Sequence, residues 1–151
     1  MPDLISSDFP LTASQRTVLT AVLDTLLPAS RDGEMPSAAE VDFTAYLVDQ
    51  AEGFVAELAA ILDELTASFA DLPAAARHER LTEFSAGNPA PFRNLLTRVY
   101  DCYYQNDLVR TRIGVTTGAP FPAGNDVIAG DLSLLDPVIA NSTRHRFRKP
   151  G

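Results

Sequence analysis

Metal binding and acid–base catalysis most often use histidine and carboxylate side chains. In this sequence these residues do not have the spacing of a known metal-binding motif. The two histidines are His78 and His145, and neither has a carboxylate three residues before it. The Glu-x-x-His pair of di-iron helix bundles is therefore absent, and His78-Glu79 lacks the second histidine of a zinc-protease helix. Arg80 and Glu83 are spaced for a weak ion pair on the exposed side of a predicted helix. We expect no catalytic residue and no metal site.

The only cysteine, Cys102, excludes an internal disulfide and a cysteine-rich metal site. It lies among apolar residues of a predicted helix, a setting typical of a buried, unreactive thiol. No glycine-rich loop follows a strand, so the nucleotide-binding fingerprints are absent. The haem-attachment motif Cys-x-x-Cys-His is absent too. The sequence predicts a chain that binds no cofactor of its own.

Three tyrosines lie together in the same predicted helix, at positions i, i+3 and i+4: Tyr100, Tyr103 and Tyr104. One interpretation is a core stripe whose hydroxyl groups reach water. The other is an interface anchor, because tyrosine buries a large area at low entropic cost and is enriched at binding hot spots. Both can hold at once if one ring faces inward while its neighbour faces a partner.

The charge distribution excludes one class of partner. The chain has 151 residues and a net charge of −8, but four of its 12 basic residues lie within residues 144–149. The first 140 residues therefore carry 8 basic and 20 acidic groups, a net charge of −12. An acidic body argues against nucleic acid, since phosphate neutralisation needs lysine or arginine on one face. No apolar stretch approaches the roughly 20 residues of a membrane span. Met1 is not followed by a basic region and an apolar run of the kind found in export signals, so the sequence predicts a cytoplasmic protein.

The elements that carry these residues are all predicted to be helical. Capping boxes at Thr12/Gln15 and Ser37/Glu40 mark two helix starts, and Pro28 ends the first helix. No segment alternates apolar and polar residues over a strand length, so the fold class is all-α, a small bundle of about five helices. The second helix carries Val41, Ala45, Leu47 and Val48; the third covers about Phe54 to Phe69; the fourth follows Pro73 and ends near Gly87; and the fifth follows Asn88-Pro89 and reaches Tyr104.

The segment after residue 114 is predicted to be an extended arm. Its apolar residues have no helical period, and its prolines forbid a continuous helix, although Leu132 to Ala140 predicts one short turn or helix. Such a segment is suited to wrapping a partner. We treat 1–114 as the helical domain and 115–151 as its arm and basic tip. The predicted partner-binding residues are Tyr103, Tyr104, Ile113, Pro120, Phe121 and Pro122.

Two runs of residues resemble the gluconate 2-dehydrogenase subunit 3 family, small accessory subunits of flavin-dependent sugar and alcohol dehydrogenases. The first is Leu11-Thr12-x-x-Gln15-Arg16-x-x-Leu19-x-x-Val22-x-x-Thr25-Leu26-Leu27-Pro28, which is similar to the opening helix of that family. The second is Tyr103-Tyr104, Val109, Ile113-Gly114 and Pro120-x-Pro122-x-Gly124. The resemblance covers about residues 11–125, and the order and separation of the two runs agree with the family.

The resemblance implies a helical small subunit that binds a large FAD-dependent subunit of the glucose-methanol-choline oxidoreductase type. That partner would hold the flavin and the catalytic residues, and its substrate would be a sugar or glycoside. Many family members begin with a twin-arginine export signal, whereas Met1 is followed by none, which favours a cytoplasmic complex. Two other hypotheses remain open: a free-standing helical adaptor or regulator, and an enzyme whose site is not visible in its motifs.

Overall fold

The computed structural model describes residues 9–117, 132–137 and 140. The chain divides into two compact units at Thr117. Within the described residues every regular element is helical, which confirms the predicted all-α bundle. The helices of the first unit are α1 (Ala13–Leu26), α2 (Phe43–Gln50), α3 (Val55–Leu65), α4 (Ala74–Gly87), α5 (Pro89–Gln105) and α6 (Asp107–Arg112). In the second unit, Leu132–Leu135 forms a 3-10 turn, within the segment where the sequence predicts one short turn or helix.

Helix α1 begins at the predicted capping box, and its apolar face is buried in the core. The Thr12 hydroxyl accepts a hydrogen bond from the Gln15 amide at 3.1 Å, and the Gln15 side chain accepts one from the Thr12 amide at 2.9 Å. This reciprocal capping satisfies two amides that the first helical turn leaves free. Leu11, just before the cap, is buried, and so are Leu19 and Val22 along the inner face. The helix ends at Leu26, before Pro28.

The second capping box is present but closes a 3-10 turn, Ala38–Glu40, rather than a helix. Val41 then adopts an extended conformation, and Asp42 supplies a new cap by accepting from the Ala45 amide at 2.9 Å. Helix α2 therefore starts after Val41, later than the second capping box predicts. Of the apolar residues predicted for this helix, Leu47 is buried, whereas Ala45 and Val48 are exposed. The inward face consists of Phe43, Thr44, Tyr46 and Leu47.

Helix α3 is shorter than its apolar stripe predicts. It ends at Leu65 because Thr66 has a φ of +65°, in a region that residues with a side chain rarely occupy. The chain continues as a 3-10 turn, Ala67–Asp71, which packs against α1. Phe69 is therefore buried as expected, but from this turn and not from the helix.

Helices α4 and α5 begin where their prolines predict. Pro73 is extended and immediately precedes α4, and Pro89 is the first residue of α5. The predicted pair between Arg80 and Glu83 is present, with a nitrogen–oxygen distance of 3.6 Å. Helix α4 packs on α5, and the rings of Phe84 and Phe92 meet at a centroid distance of 6.5 Å.

A polar contact fastens the segment between α1 and α2 to the core. The buried Ser37 hydroxyl donates to Asp24 Oδ1 at 2.9 Å. The other carboxylate oxygen of Asp24 lies 4.0 Å from Nη1 of Arg77 on α4. Asp24 thus links α1, the second capping box and α4.

Candidate functional site

The tyrosine-bearing helix α5 is fixed in the bundle by an inner face of four buried residues: Leu95, Val99, Cys102 and Tyr103. This face packs against α2, α3 and α4. Burial and the nearby carboxylate of Asp42 raise the pKa of the Cys102 thiol to about 11. The thiol therefore stays protonated near neutral pH and serves as a small apolar core residue, as the sequence predicts.

The three tyrosines separate into one inward and two outward rings. Tyr103 is 5% exposed, and its hydroxyl donates to the backbone carbonyl of Pro36 at 2.8 Å. Burial, followed by the neighbouring Tyr104 and Glu40, raises the pKa of the Tyr103 phenol. Tyr100 and Tyr104 are 41% and 50% exposed. Both sequence interpretations therefore apply, to different rings.

The outward rings are held in place by their contacts with each other and with Tyr103. Tyr104 meets Tyr103 edge to face, with centroids 5.3 Å apart and an interplanar angle of 90°. Tyr100 lies against Tyr104 at 6.2 Å and 59°. Both distances are within the range where aromatic pairs attract. The buried tyrosine thus orders an exposed aromatic pair, which lowers the entropy that a partner would have to remove on binding.

Helix α6 and the turn after it carry three further exposed apolar side chains. The side chain of Asn106 accepts from the amides of Leu108 and Val109, which starts the helix, and Val109 is fully buried. The helix ends in a reversal at Gly114, where φ is +78°, and the Val115 amide donates to the Arg110 carbonyl at 2.8 Å. As a result the side chains of Leu108, Ile113 and Val115 remain exposed.

Exposed apolar side chains are concentrated in this part of the described chain. Among all the described residues, seven large hydrophobic residues are exposed, and five of them lie between residues 100 and 115. We call these five the tyrosine face: Tyr100, Tyr104, Leu108, Ile113 and Val115. The other two are Val48 and Leu135.

The predicted partner-binding residues fall into three groups. Tyr104 and Ile113 belong to the tyrosine face, whereas Tyr103 lies beneath it in the core. Pro120, Phe121 and Pro122 lie outside the described residues. Sequence reasoning did not single out Leu108 and Val115, because a helix of six residues is too short for a periodic pattern to mark its outer side.

The described residues contain neither a cluster of metal-binding side chains nor a membrane-spanning helix. Within 9–117, 132–137 and 140, no group of three or more His, Cys, Asp or Glu side chains is arranged to hold a metal ion. His78 is exposed on α4. In the same part of the chain, no helix combines the length and apolar character needed to cross a bilayer.

Comparison with known proteins adds no relative. No family model matches the sequence, and neither a curated protein nor a solved structure is significantly similar to the chain. Any family assignment therefore depends on the two residue runs quoted above.

Proposed function

We propose that this chain is a non-catalytic small subunit that binds a large FAD-dependent sugar or glycoside dehydrogenase and stabilises it or helps it mature. In this proposal the flavin and the catalytic residues belong to the large subunit. The proposal takes its partner from the resemblance of residues 11–125 to the gluconate 2-dehydrogenase subunit 3 family.

The observation that carries the proposal is the tyrosine face. Exposed large apolar side chains that are concentrated in one segment favour a binding site, and tyrosine is enriched among the residues that dominate binding energy. Tyr104 and Ile113 of this face also belong to the second of the two family-like runs. The same segment is therefore both the part that resembles the family and the part with the most exposed apolar side chains.

A free-standing adaptor for an unrelated protein is the second candidate. The same exposed rings, Tyr100 and Tyr104, would serve such an adaptor equally well. The two candidates differ in one observable property, the identity of the protein that co-purifies. A flavoprotein of the oxidoreductase type supports the small-subunit proposal, and an unrelated protein supports the adaptor.

The test is co-expression of the tagged chain with a flavoprotein encoded in a neighbouring reading frame, followed by purification through the tag. We expect flavin absorbance to co-purify with the chain in a fixed ratio. Tyr104→Ala and Ile113→Ala should each weaken assembly by about 1–3 kcal/mol if these residues are buried anchors. Phe121→Ala, in the predicted arm, should weaken it by a similar amount.

The matched control is Val48→Ala, which shortens an exposed aliphatic side chain on α2 that is not one of the five residues of the tyrosine face. Assembly of this variant should equal that of the unchanged chain. If Tyr104→Ala and Ile113→Ala also assemble with undiminished affinity, the tyrosine face is not the binding element. If no flavoprotein co-purifies with the unchanged chain, the assignment of the partner fails.

A further inference from the structure

A polar cleft lies between the start of α3 and the middle of α5, on residues that the proposed function does not use. Its volume is about 300 Å³. Ligand sites begin at roughly this size, which suits a small molecule and is too small for a protein segment with several side chains. The cleft is lined by Gly53, Phe54, Glu57, Asn94, Thr97 and Arg98.

The negative charge in the cleft is held in a defined position. The Asn94 side-chain amide donates to both carboxylate oxygens of Glu57, at 3.1 and 3.3 Å. This contact joins α3 to α5 and limits the rotation of the carboxylate. An ionised carboxylate has about four acceptor positions, so Glu57 keeps the capacity to accept further hydrogen bonds.

The positive charge in the cleft belongs to Arg98, one helical turn after Asn94 on α5. Arg98 is partly buried. It has no hydrogen-bond or ion-pair partner among the described residues, although Arg77 and Arg80 each have a carboxylate partner. Within the part of the chain that the structure describes, Glu57 and Arg98 therefore line the same cleft without pairing, and their opposite charges are open to a ligand.

We propose that this cleft binds a small zwitterion of the α-amino-acid class. The ammonium group would be held by Glu57, and the carboxylate would be held by Arg98 in a charge-assisted hydrogen bond. A simple anion is repelled by Glu57 and a simple cation by Arg98, whereas a zwitterion satisfies both. A neutral polyol fits the volume but uses neither charge. This site is independent of the proposed partnership with a flavoprotein.

The test is a titration of the full chain with L-alanine, followed by amide chemical shifts in nuclear magnetic resonance. We expect saturable shifts at Gly53, Thr97 and Arg98, with a dissociation constant on the order of 1 mM. Acetate, methylammonium and glycerol are the comparison probes, because each lacks one or both charges of the zwitterion. Each should bind at least about tenfold more weakly than L-alanine at the same ionic strength.

Variants then separate the site from general charge effects. Glu57→Gln and Arg98→Gln should each weaken L-alanine binding roughly tenfold or more. Arg93→Gln removes an exposed arginine from the same helix outside the cleft and should leave binding unchanged. Gly53→Leu should weaken binding, because it adds bulk at a residue that lines the cleft, and no atom lies within 4 Å of the added Cβ to strain the fold. Gly87→Leu, equally open at the end of α4, should not affect binding.

Three results would overturn the proposal. The first is the absence of saturable shifts with L-alanine. The second is binding of acetate or glycerol as tight as that of L-alanine, since the pair of charges would then have no role. The third is an equal loss of affinity in Arg93→Gln and Arg98→Gln, which would indicate a diffuse charge effect.

Discussion

Replacing Tyr103 by phenylalanine removes one oxygen atom from the core and isolates the effect of a single hydrogen bond. The hydroxyl of Tyr103 donates to the carbonyl of Pro36, and both residues are buried. The two residues are 67 positions apart in the chain. The bond therefore ties the segment before α2 to the last turns of α5, and its loss should be measurable as stability.

The magnitude follows from what the substitution leaves behind. A hydrogen bond of this kind contributes about 0.5–1.5 kcal/mol, and a buried polar group without a partner costs about 1–3 kcal/mol. The Pro36 carbonyl accepts no other backbone hydrogen bond within the described residues. The phenyl ring keeps the packing of Tyr103, including its edge contact with Tyr104. We expect a loss of about 1–2 kcal/mol in the free energy of unfolding.

The assay is urea denaturation followed by circular dichroism at the helical minimum. With a slope of about 2 kcal/mol per molar urea, the midpoint of Tyr103→Phe should fall by roughly 0.5–1 M while the slope stays unchanged. Tyr104→Phe is the matched control, because Tyr104 is half exposed. Its midpoint should move by an amount equivalent to less than about 0.5 kcal/mol. Equal midpoints for Tyr103→Phe and the unchanged chain would refute the reasoning.

Three further predictions concern pH, the core and the C-terminal segment. Because burial raises the Cys102 pKa from 9.0 to about 11, unfolding releases the thiol proton between these pH values, and the free energy of unfolding should fall as pH rises from about 9 to 11. Urea unfolding at a series of pH values should show a smaller fall for Cys102→Ala, and an equal fall in the two proteins would contradict this. Leu95→Ala should cost about 2–5 kcal/mol by opening a core cavity, whereas exposed Leu108→Ala should cost under about 0.5 kcal/mol in the same assay. Deleting residues 118–151 should preserve helical circular dichroism, since Arg110 holds residues 115 and 116, and should weaken assembly in the co-purification assay.

Local signals in the sequence predicted most of the bundle. Both capping boxes form, the first at the start of α1 as predicted and the second in a 3-10 turn before α2, and Pro28, Pro73 and Pro89 lie at helix boundaries. These features depend on residues within one helical turn, so a single sequence contains all the information that they need.

The errors arose where a distant contact or an unusual backbone conformation decides the outcome. Thr66 ends α3 with a positive φ that no glycine announces. The start of α2 depends on a new cap at Asp42, which the apolar spacing of an eight-residue helix does not reveal. Likewise, Glu57 and Asn94 are 37 residues apart, so no local pattern places them in one cleft.

The arrangement of the tyrosines allows folding and binding to be tested separately at adjacent positions. Tyr103 contributes its ring and hydroxyl to the core, while Tyr104 contributes an exposed ring that rests on it. If the exposed ring serves a partner, Tyr104→Ala weakens assembly and leaves the urea midpoint nearly unchanged, whereas Tyr103→Phe lowers the midpoint and leaves the exposed surface intact. A Tyr104→Ala variant that loses as much stability as Tyr103→Phe would instead mean that this ring is part of the core. The exposure of the tyrosine face would then no longer argue for a partner, since a ring that the fold itself requires needs no binding function to explain it.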